Sequence, residues 1–244
     1  MPTYVYGITR ATAQPPDGEG IAGARLDRID SAGTAALVSE LPEDALRLGS
    51  RELLTHARVL ERAIARETVL PMRFGMTMQD AEDVREHLLA KHAAQLRAQL
   101  EALDGKVEVT VRAVYEEEAL MREVVRESRE VARLRESLRG VPDAAAHFGR
   151  IELGRLVAAA VERKRDHDAR ALLGELAPLA VAVEVGQPAH ERVVFSASFL
   201  MERSALGDFD ERLDGLAARQ GERMRFKYTG PLPPYSFVEP AVGS

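Results

Sequence analysis

The pattern of hydrophobic and polar residues in the first half of the chain predicts a sheet covered by helices. The clearest strand is at 107–115, where Glu108, Thr110 and Arg112 alternate with apolar residues. The other elements predicted are strands at 4–8 and 34–41, helices at 50–67 and 80–103, and an edge strand or extended connection at 69–76, which contains Pro71. We therefore expect an α+β domain over residues 1–115.

After Glu116 the pattern changes to that of a long helical hairpin. Three successive Glu residues open a first helix, which ends near Gly140, and a second long helix begins at Asp143. The apolar residues beyond it predict strand, strand, helix and strand, at 179–185, 193–201, 208–219 and 224–228. We expect a C-terminal α+β domain over 116–244, made of the hairpin at 116–176, a ferredoxin-like β-β-α-β unit at 177–230 and a Pro-rich terminal strap at 231–244.

Composition and charge narrow the classes of function. The chain has 244 residues, with 33 Lys and Arg against 39 Asp and Glu, and a formal net charge of −6. The absence of Cys excludes disulfides, thiol catalysis and thiolate metal sites. A net negative charge leaves no basic excess to neutralise phosphates, which argues against a nucleic acid partner. We expect a cytoplasmic protein without membrane contact, since no secretory signal or apolar run of about 20 residues occurs.

Patterns that suggest catalysis or cofactor binding are weak. The segment 18–23 has the glycine spacing of a dinucleotide-binding loop, but two prolines precede it and no helical pattern follows, which favours a surface loop. His87 and His92 are five residues apart on a predicted helix and therefore lie on different faces. The polar run 165–168 lies within a helix, so we interpret it as a solvated face. We predict no catalytic, cofactor-binding or metal-binding residues.

Two segments are unusual for their position. Arg73 is a single charge in the apolar stretch 69–75, so we expect its guanidinium to be buried against an acceptor that fixes this segment. Tyr235 and Phe237 follow three prolines near the end of the chain and should point the same way in an extended strap, either onto the protein's own core or towards a partner. The candidate structural or partner-binding residues of the two segments are Arg73, Phe74, Gly75, Gly230, Pro231, Pro234, Tyr235 and Phe237.

These segments carry a resemblance to a known family. The motifs TYVYGI, LPMRFG and GPLPPYSFV, at 3–8, 70–75 and 230–238, follow the order found in the gas vesicle accessory protein family F/L, which the chain resembles over nearly its whole length. Family members often carry Thr after the second motif and Trp within the third, where this chain has Met76 and Leu232. The choice between subtypes F and L therefore stays open.

The resemblance implies a non-enzymatic accessory protein of gas vesicle assembly, located in the cytoplasm in association with gas vesicles. Such a protein would act with the small, very apolar shell protein or with other gas vesicle accessory proteins, as a minor vesicle component or an assembly chaperone, and needs no cofactor. The resemblance also implies two α+β domains, the second of ferredoxin-like type. The alternative is a small-molecule enzyme or sensor on a ferredoxin-like scaffold, which would need a pocket with convergent polar groups.

Overall fold

The first sheet is built around the N-terminal strand. The computed structural model describes residues 1–42 and 48–239. The strands of this sheet are β1 (Thr3–Arg10), β2 (Asp27–Ser31), β3 (Thr34–Glu40), β4 (Leu70–Pro71) and β5 (Thr77–Met78). Their order is β2-β3-β1-β4, with β5 also paired to β1, and every pairing is antiparallel. β2 is not among the predicted strands because Ile29 is its only apolar residue.

Both faces of β1 are covered. Tyr4, Val5 and Tyr6 are fully buried, and successive residues of a strand point to opposite faces of its sheet. Helix α1 (Ser50–Ile64) packs against Tyr4 and Tyr6, so other elements must cover the opposite face. The helical segment 81–102 contacts β1, β2 and β3 as well. The N-terminal sheet thus lies inside an apolar core, as its continuous burial requires.

The helical segment 81–102 is more irregular than the single helix predicted at 80–103. It consists of α2 (Ala81–Asp83), a π-helical stretch (Val84–Ala90) and α3 (Ala93–Ala102). The N–H of Lys91 donates to the carbonyl of Glu86 at 3.2 Å, which is the i to i+5 bond of a π-helix. The prediction is wrong in this detail because apolar residues spaced three to four apart do not distinguish a π-turn from an α-turn.

The second sheet has the strand order of a ferredoxin-like fold. Its strands are β6 (Lys106–Tyr115), β7 (Ala182–Val185), β8 (Val193–Glu202) and β9 (Met224–Leu232). They are antiparallel and lie in the order β7-β8-β6-β9. Helices connect β6 to β7 and β8 to β9, so the chain runs β-α-β-β-α-β and the predicted arrangement is confirmed. Its first strand is β6, the last element of the predicted N-terminal domain.

A helical hairpin and one further helix accompany the second sheet. The helices are α4 (Glu117–Glu127), α5 (Arg129–Ser137), α6 (Asp143–Leu176) and α7 (Leu206–Gln220). The first arm of the hairpin, predicted as one helix, breaks at Ser128, whose φ of −99° and ψ of 105° are not helical. The Ser128 Oγ accepts a hydrogen bond from the N–H of Val131 at 3.4 Å and so caps α5. Phe199 of β8 and Phe209 of α7 pack with ring centroids 5.1 Å apart.

By packing, the chain divides into two compact units. Unit 1 contains Met1–Val109, Leu200–Arg203 and the terminal segment from Gly230, and unit 2 contains Thr110–Phe199 and Ser204–Thr229. This division falls inside β6, β8 and β9, whereas the sequence-based division after Tyr115 follows the order of elements along the chain. Short 3₁₀ turns lie at Ile21–Gly23, Ala177–Leu179, Arg203–Ala205, Gly221–Arg223 and Tyr235–Phe237.

Candidate partner-binding surface

The first two motifs of the sequence are neighbours at one edge of the first sheet. In the pairing of β1 with β4, Gly7 lies opposite Pro71 and Ile8 opposite Leu70. This close approach requires glycine at position 7, because a Cβ there would lie 2.7 Å from Cγ1 of Val69 and 2.9 Å from the carbonyl oxygen of Leu70. The backbone of the sheet therefore fixes the two motifs to each other.

The segment after β4 forms a loop that is tied to β1 at both ends. The N–H of Met72 donates to the carbonyl of Tyr6 at 2.9 Å, and the N–H of Val5 donates to the carbonyl of Met76 at 3.0 Å. Residues 73–75 lie between these two bonds and include Gly75, whose φ of 92° is unfavourable for other residues. The RFG part of the motif is therefore a turn at the sheet edge.

A buried aromatic network holds this turn to the core of unit 1. The Tyr4 hydroxyl lies 3.0 Å from Nδ1 of His56 and accepts a hydrogen bond from the N–H of Gly75 at 3.0 Å. The His56 ring centroid lies 5.7 Å from that of Tyr6 and 5.9 Å from that of Phe74. Burial lowers the pKa of His56 to about 4, so the ring is neutral at pH 7 and shares one hydrogen bond with the Tyr4 hydroxyl.

The structure contradicts the burial expected for Arg73. Its side chain is exposed, and its guanidinium makes no hydrogen bond or ion pair with the residues that the structure describes. Phe74 is half-buried against the core cluster of unit 1, an apolar group that includes Tyr4, Tyr6 and Leu60. The apolar neighbours of Arg73 suggested a buried segment, but adjacent residues in a turn point in different directions. Arg73 is therefore a candidate for contact with a partner and does not fix the segment.

The terminal motif begins where the backbone of β9 passes close to β6. A Cβ on Gly230 would lie 2.9 Å from Cγ1 of Val109 and 3.1 Å from the carbonyl oxygen of Glu108. Glycine is therefore required at this position, where φ is 150°. The Gly230–Pro231 peptide is cis, and the next two prolines, Pro233 and Pro234, are buried. The start of the strap therefore packs against other residues of unit 1.

Two polar anchors hold the strap further along. The carboxylate of Glu108, which is only 3% exposed, accepts hydrogen bonds from the N–H of Ser236 at 2.8 Å and from its hydroxyl at 2.9 Å. The side chain of Gln99 accepts from the N–H of Glu239 at 2.8 Å and donates to its carbonyl at 3.2 Å. Buried charge-assisted hydrogen bonds are stronger than neutral ones, so Glu108 is the firmer anchor.

The expected extended geometry of the strap is wrong for its aromatic residues. Tyr235–Phe237 form a 3₁₀ turn, in which residues two apart do not share a face. Tyr235 is 42% exposed, whereas Phe237 is half-buried. The prediction of extended geometry was wrong because proline fixes its own φ but does not prevent a turn in the residues that follow it. Residues 240–244 of the predicted strap lie outside the described residues.

A small apolar groove lies where the turn and the strap meet. Its volume is about 160 Å³, and it is lined by Ile8, Leu70, Pro71, Met72, Arg73, Met76, Leu96, Tyr235, Val238 and Glu239. Of the residues singled out from the sequence, Arg73 and Tyr235 therefore lie together on one surface. Phe74 and Gly75 belong to the turn, and the remaining candidates belong to the terminal motif at 230–238: Gly230, Pro231, Pro234 and Phe237. The groove is smaller than the roughly 300–1,000 Å³ of a small-molecule site and suits a single side chain.

Unit 2 contains a charged cluster that the sequence did not reveal. Arg223 donates to both carboxylate oxygens of Glu123, one at 2.9 Å, and to Asp168 at 3.0 Å. Lys164 lies 2.9 Å from Glu123, and the Tyr115 hydroxyl donates to Asp168 at 2.7 Å. The solvated face expected at 165–168 is therefore wrong for Asp168, whose side chain is only 13% exposed. The sequence signal for the cluster was weak, because its members are spread over more than 100 residues.

This cluster has the features of a structural element. Its opposite charges neutralise one another, and each is held by a hydrogen bond. A cleft of about 860 Å³ in unit 2 is likewise lined by paired charges, among them Glu117 with Arg192 and Glu118 with Arg122. Within residues 1–42 and 48–239, no three His, Asp or Glu side chains are placed to hold a metal ion. The groove of unit 1 is therefore the better candidate for a functional surface.

Comparison with known proteins agrees with the three motifs. Residues 2–239 match the model of the family described as gas vesicle synthesis protein GvpL/GvpF. The chain belongs to this family. Gas vesicle protein F of Streptomyces sp. (strain CB03234) is 35% identical over 243 residues, which cover 98% of this chain and 100% of that protein. Gas vesicle protein F of Dolichospermum flosaquae is 25% identical over 98% of both chains.

Solved structures of GvpF share the fold. The crystal structure of GvpF from Anabaena sp. PCC7120 superposes with a TM-score of 0.86 at 25% identity, over 98% of both chains. That of GvpF from Microcystis aeruginosa has a TM-score of 0.79 at 23% identity, over 97% of this chain and 98% of that one. The chain is thus a gas vesicle-related α+β protein. None of its described helices combines the length and hydropathy that a membrane span requires.

Proposed function

We propose that this protein is a non-enzymatic accessory protein of gas vesicle assembly that binds the small, apolar shell protein. It acts in the cytoplasm, in association with gas vesicles, as an assembly chaperone or a minor vesicle component. One observation carries the proposal beyond family membership: the turn with Arg73 and the strap with Tyr235 meet at one apolar groove. Arg73 and Tyr235, which both line it, are about 160 residues apart in sequence, so the groove is formed by the tertiary fold.

The chemistry of the groove suits an apolar partner. Binding of such a partner depends on buried apolar area and on a few well-packed anchors. Met72 and Met76 line the groove, and methionine is a flexible, polarisable side chain that adapts to apolar surfaces of irregular shape. Tyr235 adds an aromatic ring with a polar tip, a residue type enriched at the centre of protein interfaces. These side chains can shield an apolar protein before it is incorporated.

Co-expression with the shell protein tests the proposal. The tagged full-length chain should retain the shell protein in a pull-down, and retention should fall only slightly between low and moderate salt, because apolar burial is not screened by ions. A tagged α+β protein of unrelated family serves as the control for non-specific adhesion. Retention no greater than that of the control would contradict the proposal. A steep loss with salt would instead favour electrostatic capture by exposed cations such as Arg225 and Lys227 of β9.

A further inference from the structure

We propose that the groove of unit 1 is a docking site for one segment of the shell protein, in which a large apolar side chain lies beside a carboxylate. The apolar side chain fills the groove, and the carboxylate pairs with Arg73. This inference rests on the proposed function and specifies which surface performs it and which residue gives it selectivity.

The size of the groove limits what can enter. A volume of about 160 Å³ is too small for a cofactor or substrate of ordinary size but accommodates one large aliphatic or aromatic side chain. Leu96, Met76 and Val238 supply apolar walls from three different parts of the chain. A pocket that fits a single anchor is the usual form of an interface hot spot. The groove therefore selects a protruding apolar side chain.

Charge complementarity determines what lies next to that side chain. Arg73 lines the groove, is exposed, and has no acidic partner among the described residues. A guanidinium beside apolar surface pairs well with a carboxylate, because it offers parallel N–H donors and is weakly hydrated. The arrangement fits a segment with an acidic residue next to its apolar anchor.

Both walls of the groove are fixed before a partner binds. The turn is held by the bond from the N–H of Gly75 to Tyr4, and the strap by the two bonds from Ser236 to Glu108. Fewer side chains and loops then need to be ordered on association, which lowers the entropic cost of binding. A preformed groove is expected of a docking site and is not required of a surface loop that merely connects two strands.

Pull-down of the shell protein by charge variants tests the inference. Arg73→Glu should reduce the retained shell protein about tenfold, because a like charge then faces the partner's carboxylate. Arg73→Lys should retain more than Arg73→Glu, since it keeps the charge. The matched control is Arg58→Glu, which makes the same charge change at an exposed residue of unit 1 that does not line the groove, and it should bind as wild type does. Thermal unfolding of each variant confirms the fold.

The outcomes separate this inference from the proposed function. If the wild-type chain retains no shell protein, the proposed function itself fails. If wild type binds and Arg73→Glu binds equally well, the function stands and the groove is not the docking site. Light scattering completes the test: if the wild-type chain self-associates and Arg73→Glu is monomeric, the occupant is a second copy of the chain and the inference is overturned. Restored binding of Arg73→Glu by a shell protein in which one acidic residue has been replaced with Arg would support it directly.

Discussion

The buried polar groups in the aromatic network of unit 1 are neutral, whereas those in the charged cluster of unit 2 are ionised. His56 in unit 1 is 2% exposed, and burial keeps its ring uncharged, with Tyr4 as its hydrogen-bond partner. In unit 2 Glu123 is 9% exposed and remains ionised. Burial alone would raise the pKa of Glu123, but the hydrogen bonds and charges of Arg223 and Lys164 outweigh it and hold the pKa at about 2.

The difference shows how each unit stays folded around its polar groups. A neutral network costs less to bury than unpaired charges would, which suits the apolar groove beside it. A charged cluster compensates for burial only while its charges stay paired. This cluster ties α4, α6 and the 3₁₀ turn before β9 together, so the loss of one charge should weaken it. Unit 1 should therefore be sensitive to protonation, and unit 2 to the removal of one charge.

The largest effect is expected from Glu123→Ala. The substitution removes one of the two carboxylates that Arg223 and Lys164 share and leaves them only Asp168 in common. It should lower the free energy of unfolding by about 3 kcal/mol, measured by chemical denaturation. The matched control is Glu127→Ala. Glu127 lies 3.1 Å from the same lysine but is 47% exposed, so its loss should cost less than about 1 kcal/mol. Equal effects of the two substitutions would contradict the view that the cluster is a mutually dependent unit.

Acidification should affect unit 1 before unit 2. The pKa of His56 is lowered from 6.5 to about 4 on folding, so below pH 6.5 the unfolded chain binds a proton that the folded chain does not. The stability that His56 contributes is present above pH 6.5 and is lost as the pH falls towards 4, by about 3 kcal/mol in total. The contribution of Glu123 is lost only below its ordinary pKa of 4.5, as the pH falls towards 2.

Denaturation midpoints at pH 7, 6, 5 and 4 provide the measurement. His56→Gln removes the titrating ring, so its stability should fall less steeply with pH over this range than that of wild type. The difference in slope should approach about 1.4 kcal/mol per pH unit, the value for one proton. If the two slopes coincide, His56 is not the group whose protonation destabilises the protein. The two units would then not differ in acid sensitivity for the reason given.

A smaller effect is expected from Tyr4→Phe. It removes the hydroxyl that bonds both His56 and the N–H of Gly75, so the free energy of unfolding should fall by about 1–3 kcal/mol. Hydrogen exchange at the Gly75 amide should become faster. In Tyr6→Phe, by contrast, the amide that loses its partner is that of Ile21, bonded to the Tyr6 hydroxyl at 2.7 Å, while Gly75 stays protected. Unchanged exchange at Gly75 in Tyr4→Phe would show that the turn is held by other contacts.

Much of the fold follows from local sequence patterns. Alternation predicted β6, an apolar cluster predicted β1, and the order of strands and helices after Glu116 predicted the ferredoxin-like arrangement. These features depend on residues that are close in sequence. Over such distances the spacing of apolar residues and the positions of Gly and Pro indicate the type of element. The π-helical stretch Val84–Ala90 and the break at Ser128 were not predicted, because each alters a helix without changing its apolar pattern.

The candidate site was only partly predictable. The unusual composition of the turn and the strap identified both segments, but their convergence depends on distant contacts such as that of Glu108 with Ser236, 128 residues apart. No local pattern specifies which buried carboxylate a hydroxyl will meet. The charged cluster of unit 2 was not predicted for the same reason, since Arg223 is 100 residues from Glu123. Patterns therefore show which segments are unusual, and tertiary contacts decide what those segments do.

The smallest effect on stability is expected from Arg73→Ala. A buried Arg73 would cost about 3 kcal/mol to remove, but its exposed guanidinium has no partner among the described residues, so the change should be within about 0.5 kcal/mol. Phe74→Ala provides the contrast, because its half-buried ring packs against the core cluster and its loss should exceed that value. Chemical denaturation of both variants decides the matter. A loss of more than about 1.5 kcal/mol for Arg73→Ala would show that the guanidinium is held within the fold, and its role in partner binding would have to be abandoned.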